Sequence, residues 1–349
     1  MKKIAIVAQG ASEGGAERVA TLLANYLANK KYEVYFYAVY SGKREYYIDE
    51  RVNYHYCNTK AKFGPLRMLE RAIKVRKFIL KNQIDTMISF VYMEGLFLVG
   101  SKQIKKIYSL RNDPVKARDT KLQKKLRDKI YQKADCIVFQ TPDARDYFGP
   151  PIRDRGTVIP NPVKPELPYW NSEGHGKEIL AAGRLTAQKN FAMLIEGFAA
   201  FAGKHPEYRL TICGEGELKA SLTAQAKQLG VEDKISFPGF VADIHRRMRD
   251  AEIYVSTSDY EGISNSMLEA LAIGVPTVCT DCPAGGAAMF IRSGENGILI
   301  PTGDTRALTE ALSSIADSPD QCRKFSSQSV KIRNTLDVDK ICSQWEALV

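Results

Sequence analysis

Two short segments of the 349-residue chain carry side chains that could handle a phosphate and the hydroxyls around it. In the stretch Asp259 to Ala270, the polar run Ser264-Asn265-Ser266 stands directly ahead of Met267-Leu268-Glu269-Ala270-Leu271-Ala272. Such a run reads as a helix cap, leaving unpaired backbone N–H groups and the positive end of a helix dipole facing any anion placed there. Glu261 precedes the cap in a loop. A helix starting near Ser264 carries Glu269 about one and a half turns inside, roughly 7 Å along the axis at ~1.5 Å per residue. Two carboxylates then flank a phosphate-binding helix end, which suits them to grip hydroxyls on either side of a diphosphate. Upstream, Gly183-Arg184-Leu185-Thr186-Ala187-Gln188-Lys189-Asn190 adds two cations, Arg184 and Lys189, between the apolar Ile179-Leu180-Ala181-Ala182 and the helix-like Phe191-Ala192-Met193-Leu194-Ile195. Pre-positioned Arg, Lys and helix N–H groups stabilise the charge on a departing diphosphate without a metal. The combination suggests a nucleotide-sugar site.

The elements that must position these residues are parallel strands with crossover helices, because apolar strand runs alternate twice with helical patterns. In the first set, Lys3 to Ala8 reads as a strand and Ala16 to Asn29 as a helix with Val19, Leu22, Leu23, Tyr26 and Leu27 on one face. Further strands are expected at Val34 to Val39, Thr86 to Phe90, Ile104 to Leu110 and Cys136 to Gln140. Proline at Pro150-Pro151 and through Pro160, Pro162 and Pro165 marks a linker. A second set follows, with strands near 179–182, 208–213, 234–237, 253–256, 276–279 and 297–300. The expected domains are 1–163 and 164–335, with a terminal helical segment, 336–349, that includes Trp345 and is a candidate to cross back onto the first domain. Ligands of open parallel sheets bind beyond the carboxyl ends of the strands, where Gly183-Arg184, Gly214-Glu215-Gly216 and Tyr260-Glu261-Gly262 fall. Gly14-Gly15 follows the first strand in the same way, as a backbone that a ligand could approach closely with no Cβ in the way. Neither it nor Gly214-Glu215-Gly216 completes a G-x-G-x-x-G dinucleotide fingerprint, which argues against an NAD-dependent dehydrogenase.

The net charge of +10 is unevenly spread: residues 1–165 hold 32 Lys and Arg against 16 Asp and Glu, and residues 166–349 hold 18 against 24. The basic excess concentrates in Leu66 to Leu80 and in Lys116 to Arg127, which read as amphipathic basic helices. These could lie on an anionic membrane surface, guide a phosphate-bearing acceptor, or simply present a solvated face. No ribonucleoprotein, zinc-finger or helix-turn-helix pattern accompanies them, so nucleic acid is not the expected partner. No apolar run is long enough for a membrane span, and Met1-Lys2-Lys3 leads into a strand rather than a signal peptide, so the expected location is cytoplasmic or peripheral at the inner face of the membrane. The 7 cysteines sit mostly in apolar segments, as buried reduced thiols do. Cys279-Thr280-Asp281-Cys282 lacks a second pair and nearby metal-ligand histidines. The D-x-D at Asp337-Val338-Asp339 lies in the helical tail, so no metal and no other cofactor is expected.

At these residues the chain resembles the retaining glycosyltransferases of family 4. The resemblance rests on the Gly-Arg-Leu to Lys-Asn loop at 183–190, on Cys213-Gly214-Glu215-Gly216-Glu217-Leu218 at a strand-to-helix turn, and on the paired glutamates 261 and 269; Gly14-Gly15-Ala16-Glu17-Arg18 extends it to the first half. It implies the α/β GT-B fold, in which two Rossmann-like domains face each other across a cleft, the first binding acceptor and the second donor. It further implies transfer of a hexose or N-acetylhexosamine from a nucleoside diphosphate sugar, most commonly UDP-linked, to a hydroxyl of a glycan or polyprenyl-diphosphate-linked acceptor, with retention. Glu269 would bind the ribose; Arg184, Lys189 and the N–H groups at Ser264, Asn265 and Ser266 would bind the diphosphate. Glu261 with the Gly262-Ile263 backbone would read the sugar, and Phe237-Pro238-Gly239-Phe240 would line the base pocket. Family members usually place a histidine after a first-domain strand; Ile107-Tyr108-Ser109-Leu110-Arg111 carries Arg111 there instead, as a candidate for positioning or charge stabilisation. Two alternatives share these features: a GT-B-fold UDP-sugar epimerase and a non-catalytic partner subunit.

Overall fold

A computed structural model describes residues 1–12, 14–98, 101–116, 120–171 and 176–349. Within the expected basic helix at 116–127, Ala117, Arg118 and Asp119 lie outside the described residues, as does His175. The chain divides into two compact units, Met1–Pro162 with Val338–Val349, and Val163–Asp337.

In the first unit the elements run β1 (Lys2–Ala8), α1 (Gly15–Ala28), β2 (Tyr32–Ala38), β3 (Asn53–Tyr56), α2 (Gly64–Lys81), β4 (Thr86–Ser89), β5 (Lys105–Leu110), α3 (Lys121–Tyr131), β6 (Cys136–Phe139), α4 (Pro142–Asp146), α5 (Pro150–Arg153) and β7 (Gly156–Val158). The strands form one sheet in the order β3-β2-β1-β4-β5-β6-β7, with parallel pairing throughout. Helices cover both faces of such a sheet, so its central strands read as continuous apolar runs; Ile4 to Ala8 are all buried. Strands β3 and β7 were not among the expected ones. Both are short edge strands with at most partly buried residues, so they lack the apolar run that marks a central strand.

The second unit contains β8 (Glu178–Ala182), α6 (Phe191–Ala202), β9 (Arg209–Cys213), α7 (Lys219–Gln228), β10 (Ile235–Gly239), α8 (Ile244–Asp250), β11 (Ile253–Ser256), α9 (Asn265–Ile273), β12 (Thr277–Asp281), β13 (Ile298–Pro301), α10 (Thr305–Ala316), α11 (Pro319–Ser329) and α12 (Ile332–Thr335). Its sheet has the order β10-β9-β8-β11-β12-β13. Phe191, Leu194, Phe198 and Phe201 of α6 pack with Ile179, Leu210 and Ile212 of the sheet and Leu308, Leu312 and Ile315 of α10 in its core. The final helix, α13 (Val338–Glu346), belongs to the first unit. There Trp345 is fully buried and stacks on Phe90 at 5.6 Å, while Tyr26 Oη of α1 donates to Glu346 Oε2 at 2.9 Å.

Strand order reverses direction between β1 and β4 in one sheet and between β8 and β11 in the other. The loops leaving adjacent strands at such a reversal diverge to opposite faces and open a crevice at the carboxyl edge. In the second sheet, those loops are the ones at 183–190 and 257–264.

Candidate functional site

Loops 183–190 and 257–261 are tied together by hydrogen bonds. Thr257 Oγ1 donates to the Lys189 and Asn190 carbonyls, each at 3.0 Å. Asp259 N–H reaches Gln188 O at 2.9 Å, Gln188 Nε2 reaches Tyr260 O at 3.0 Å, and Asn190 Nδ2 reaches Asp259 Oδ1 at 2.8 Å. Asn190 adopts the left-handed region at φ 44° and caps α6 by accepting from Met193 N–H. The αL turn with its short polar side chain lets the loop reverse and start a helix at once. These ties fix the ends of Lys189 and Glu261, whose side chains meet: Lys189 Nζ lies 2.5 Å from Glu261 Oε2. Ser258 Oγ donates to the same oxygen at 3.2 Å.

The helix expected near Ser264 begins at Asn265, with Ser264 as its cap and Ser264 Oγ accepting from Met267 N–H at 3.4 Å. Ser266 Oγ donates to Ala182 O at the end of β8, 3.4 Å away, so the head of α9 is held against the strand that launches the 183–190 loop. Glu269 is buried, and His245 Nε2 from the first turn of α8 stands 3.1 Å from its Oε2.

Gly183 begins the loop, and its N–H is held by Cys213 O at 2.9 Å. Gly214 packs its backbone on Gly183: a Cβ at Gly214 would overlap the Gly183 carbonyl, and its φ of +136° is a region L side chains rarely adopt. Gly262 and Ile263 are buried beneath the loop, and Glu261 N–H donates to Pro283 O at 2.7 Å. Arg184 is exposed and has no ion-pair partner among the described residues. Phe240 is exposed beyond β10. The second unit therefore brings Lys189, Glu261 and the Ser264–Ser266 cap into one place around the β8/β11 reversal. Arg184 leaves the same strand end, and Glu269 lies deeper in α9.

In the first unit, Gly14 caps α1 at φ +133°, and a Cβ there would overlap Glu17 Oε2. The backbone angle is what requires this glycine, since the Glu17 carboxylate is the movable end of a side chain, and Gly15 is the first helical residue. Arg111 follows β5. Its guanidinium donates to neutral oxygens only, those of Ser109 Oγ at 3.4 Å, Ile159 O at 3.5 Å and Asn161 Oδ1, and it faces the Trp345 ring with its Cζ 6.0 Å from the centroid. Desolvation pulls its pKa down to about 9. Sequence reasoning had placed Arg111 at a strand end but had no means of finding Asn161 or Trp345 around it, because both come from distant segments. It also missed His245, which local sequence presents only as part of the basic run His245-Arg246-Arg247.

Among the described residues no group of three His, Cys, Asp or Glu stands together as a metal site, and no helix is long and apolar enough to cross a membrane. Among the described residues none of the seven cysteines forms a disulfide, and six are buried. Burial pushes both thiols of the Cys279/Cys282 pair up, that of Cys282 to about 12, which suits packing rather than nucleophilic chemistry.

Residues 168–331 match the family model for Glycosyl transferases group 1, and residues 13–167 that for Glycosyltransferase Family 4. An uncharacterized glycosyltransferase of Haemophilus influenzae is 27% identical over 100% of both chains. The N-acetylgalactosamine-N,N'-diacetylbacillosaminyl-diphospho-undecaprenol 4-alpha-N-acetylgalactosaminyltransferase of Campylobacter jejuni is 28% identical over 95% of each. Among solved structures, HepE of Anabaena in complex with UDP and glucose is similar with a TM-score of 0.85 at 18% identity, covering 99% of each chain.

Proposed function

We propose that this chain, which belongs to the glycosyltransferases of family 4 with the GT-B fold, transfers a hexosyl or N-acetylhexosaminyl group from a UDP-linked donor with retention at the anomeric carbon. The acceptor is a hydroxyl of a growing surface glycan, carried on a polyprenyl diphosphate. The Campylobacter relative, whose name describes such a lipid-linked acceptor, supports that choice. The observation that carries the reading is the meeting of Lys189, Glu261 and the capped head of α9 at the β8/β11 reversal. A diphosphate placed at the helix head takes the Ser264–Ser266 N–H groups and Arg184, and draws Lys189 away from Glu261. Glu261 is then free to accept hydrogen bonds from the sugar hydroxyls, while Glu269 binds the ribose.

The step breaks the bond from the anomeric carbon to the diphosphate oxygen and forms one to the acceptor oxygen on the same face. The acceptor proton passes to the departing diphosphate, so no protein nucleophile is required. Lys189, Arg184 and the helix N–H groups neutralise the charge that develops, and the reaction proceeds without a metal.

Helix α2 is the element of the first unit best suited to an anionic membrane. Ala72, Val75 and Ile79 face the core, whereas Phe63, Leu66, Leu69, Ile73 and Leu80 are between 39% and 65% exposed. Arg67, Arg76, Lys77 and Lys81 flank them. An apolar stripe rimmed by cations partitions into the headgroup region of an anionic leaflet.

The test is incubation with UDP-, GDP- and ADP-sugars in EDTA without acceptor, following nucleoside diphosphate release and sugar identity. Slow release from one UDP-sugar, lost in Lys189→Ala and Glu261→Ala, is expected. Addition of a lipid-linked glycan should then give a product whose anomeric configuration matches the donor. A changed UDP-sugar would indicate an epimerase, and neither binding nor turnover a partner subunit.

A further inference from the structure

Glu269 is 5% exposed, and a carboxylate taken out of water needs donors around it to remain charged. The imidazole of His245 stands against it from a different helix, Nε2 to Oε2 at 3.1 Å, with the ring N–H turned off the line of a hydrogen bond and Nε2 buried without another partner. Helices α8 and α9 pack side by side, and Asp243 caps α8 by accepting from Arg246 N–H at 3.2 Å. His245 is thereby fixed in the first turn of α8, facing Glu269 one and a half turns into α9. The other side of the imidazole borders a cavity of about 340 Å³ lined also by Lys164, Leu167, Asp243, Arg246 and Arg249.

We infer that His245 is a positioning residue for the donor's ribose: its Nε2, buried 3.1 Å from Oε2 and without another partner, needs only a turn of the ring to donate to Glu269 and hold that carboxylate for the 2′- and 3′-hydroxyls. This rests on the assignment of Glu269 to the ribose. Each carboxylate oxygen has two lone pairs, so Oε2 accepts from His245 and still has room for a hydroxyl. The ribose does not change during the reaction, so the contact strengthens ground state and transition state alike. Its loss raises KM and leaves kcat unchanged.

The experiment compares binding of UDP and 2′,3′-dideoxy-UDP by calorimetry, together with steady-state kinetics, in the wild type and in His245→Leu, His245→Asn and His245→Gln. Leucine removes the donor, asparagine is too short to reach Oε2, and the glutamine amide reaches a position near that of Nε2. Because one side of His245 borders a cavity, each has room; thermal melting of all three checks the fold. We expect Leu and Asn to lose about tenfold in the preference for UDP over its dideoxy analogue, ~1.4 kcal/mol, with donor KM raised by a similar factor and kcat within twofold. Glutamine should restore most of the preference. An undiminished preference in both the Leu and Asn variants, or an equal loss with glutamine, overturns the role of His245. A wild type that binds both nucleotides equally, with Glu269→Ala unchanged, overturns instead the assignment of Glu269 to the ribose.

Discussion

Lys189 Nζ and Glu261 Oε2 form a 2.5 Å ion pair, so the cation proposed for the diphosphate is engaged by the carboxylate proposed for the sugar. A diphosphate must therefore compete for Lys189. Removing Glu261 frees the lysine: Glu261→Ala should bind UDP as tightly as the wild type or more so, while turnover of the UDP-sugar falls. Lys189→Ala should weaken UDP by about tenfold, ~1.4 kcal/mol, and lower turnover by about 10²–10³, the scale of removing one charge-stabilising donor. Titration calorimetry with UDP and a release assay separate the two. Equal weakening of UDP in both variants would sink this account of the pair.

Much of that site was legible because its signals are local. Ser264 is a short polar residue ahead of an apolar helix, and it caps α9. The strands that launch the loops are buried runs such as Leu180-Ala181 and Tyr254-Val255. What was not legible depends on side chains far apart in sequence. His245 reaches Glu269 only because α8 and α9 lie side by side, and Trp345 reaches Phe90 and Arg111 only because the last helix joins the first unit. The glycine before α1 reads in sequence as clearance for a ligand; in the structure its φ of +133° is what demands glycine, and the nearest group is the Glu17 carboxylate.

That relation gives a stability prediction. Gly14→Ala places a side chain at φ +133° and against the Glu17 carboxylate, and should cost ~1–3 kcal/mol, the range for a residue forced into a disfavoured backbone region. Adding Glu17→Ala removes the overlap but not the backbone strain, so the double variant should recover part of the loss in a denaturant titration. Full recovery, or none, would contradict the division between the two causes.

The face that α2 presents makes a separate prediction. Leu69→Glu with Ile73→Glu puts two negative charges into the exposed apolar stripe and leaves Ala72, Val75 and Ile79 in the core. In flotation with vesicles rich in anionic lipid, the wild type should bind and the double variant should stay in solution, with UDP-sugar hydrolysis unchanged. Equal flotation of both would move the membrane contact elsewhere.

Glu70, near the start of the same helix, sets a pH dependence. Its carboxylate accepts from Ala61 N–H at 2.9 Å and Lys60 N–H at 3.0 Å and lies 2.8 Å from Lys74 Nζ. Lys74 first, then these backbone donors, hold its pKa down to about 2 from 4.5. A carboxyl whose folded pKa is depressed adds stability that is present above its unfolded value and lost as pH falls through the folded one. The melting temperature of the wild type should therefore exceed that of Glu70→Gln at pH 6 and converge on it between pH 4.5 and about 2. A gap that is constant across that window would show that Glu70 does not act through its charge.

Arg111 is held at a cost to stability. Its guanidinium contacts only neutral oxygens, with no carboxylate partner among the described residues, and its Nε is buried without a hydrogen bond. At neutral pH both folded and unfolded chains carry the charge, because even the depressed folded pKa is about 9; the folded chain alone bears the cost of desolvating it. A half-buried cation without a counter-charge is a burden that a neutral side chain relieves. Asn161 Oδ1 keeps a donor in Gln140 Nε2 at 2.9 Å, so Arg111→Met strands no acceptor there. The variant should gain ~0.5–2 kcal/mol of stability, as relief of a functional strain commonly does. It should lose about 10²-fold or more in turnover if the guanidinium has the charge-stabilising role that the family resemblance implies. Added UDP should raise the melting temperature of the wild type more than that of the variant. A variant that is less stable and equally active would mean that Arg111 is a structural donor to Asn161 and Ile159 and nothing more.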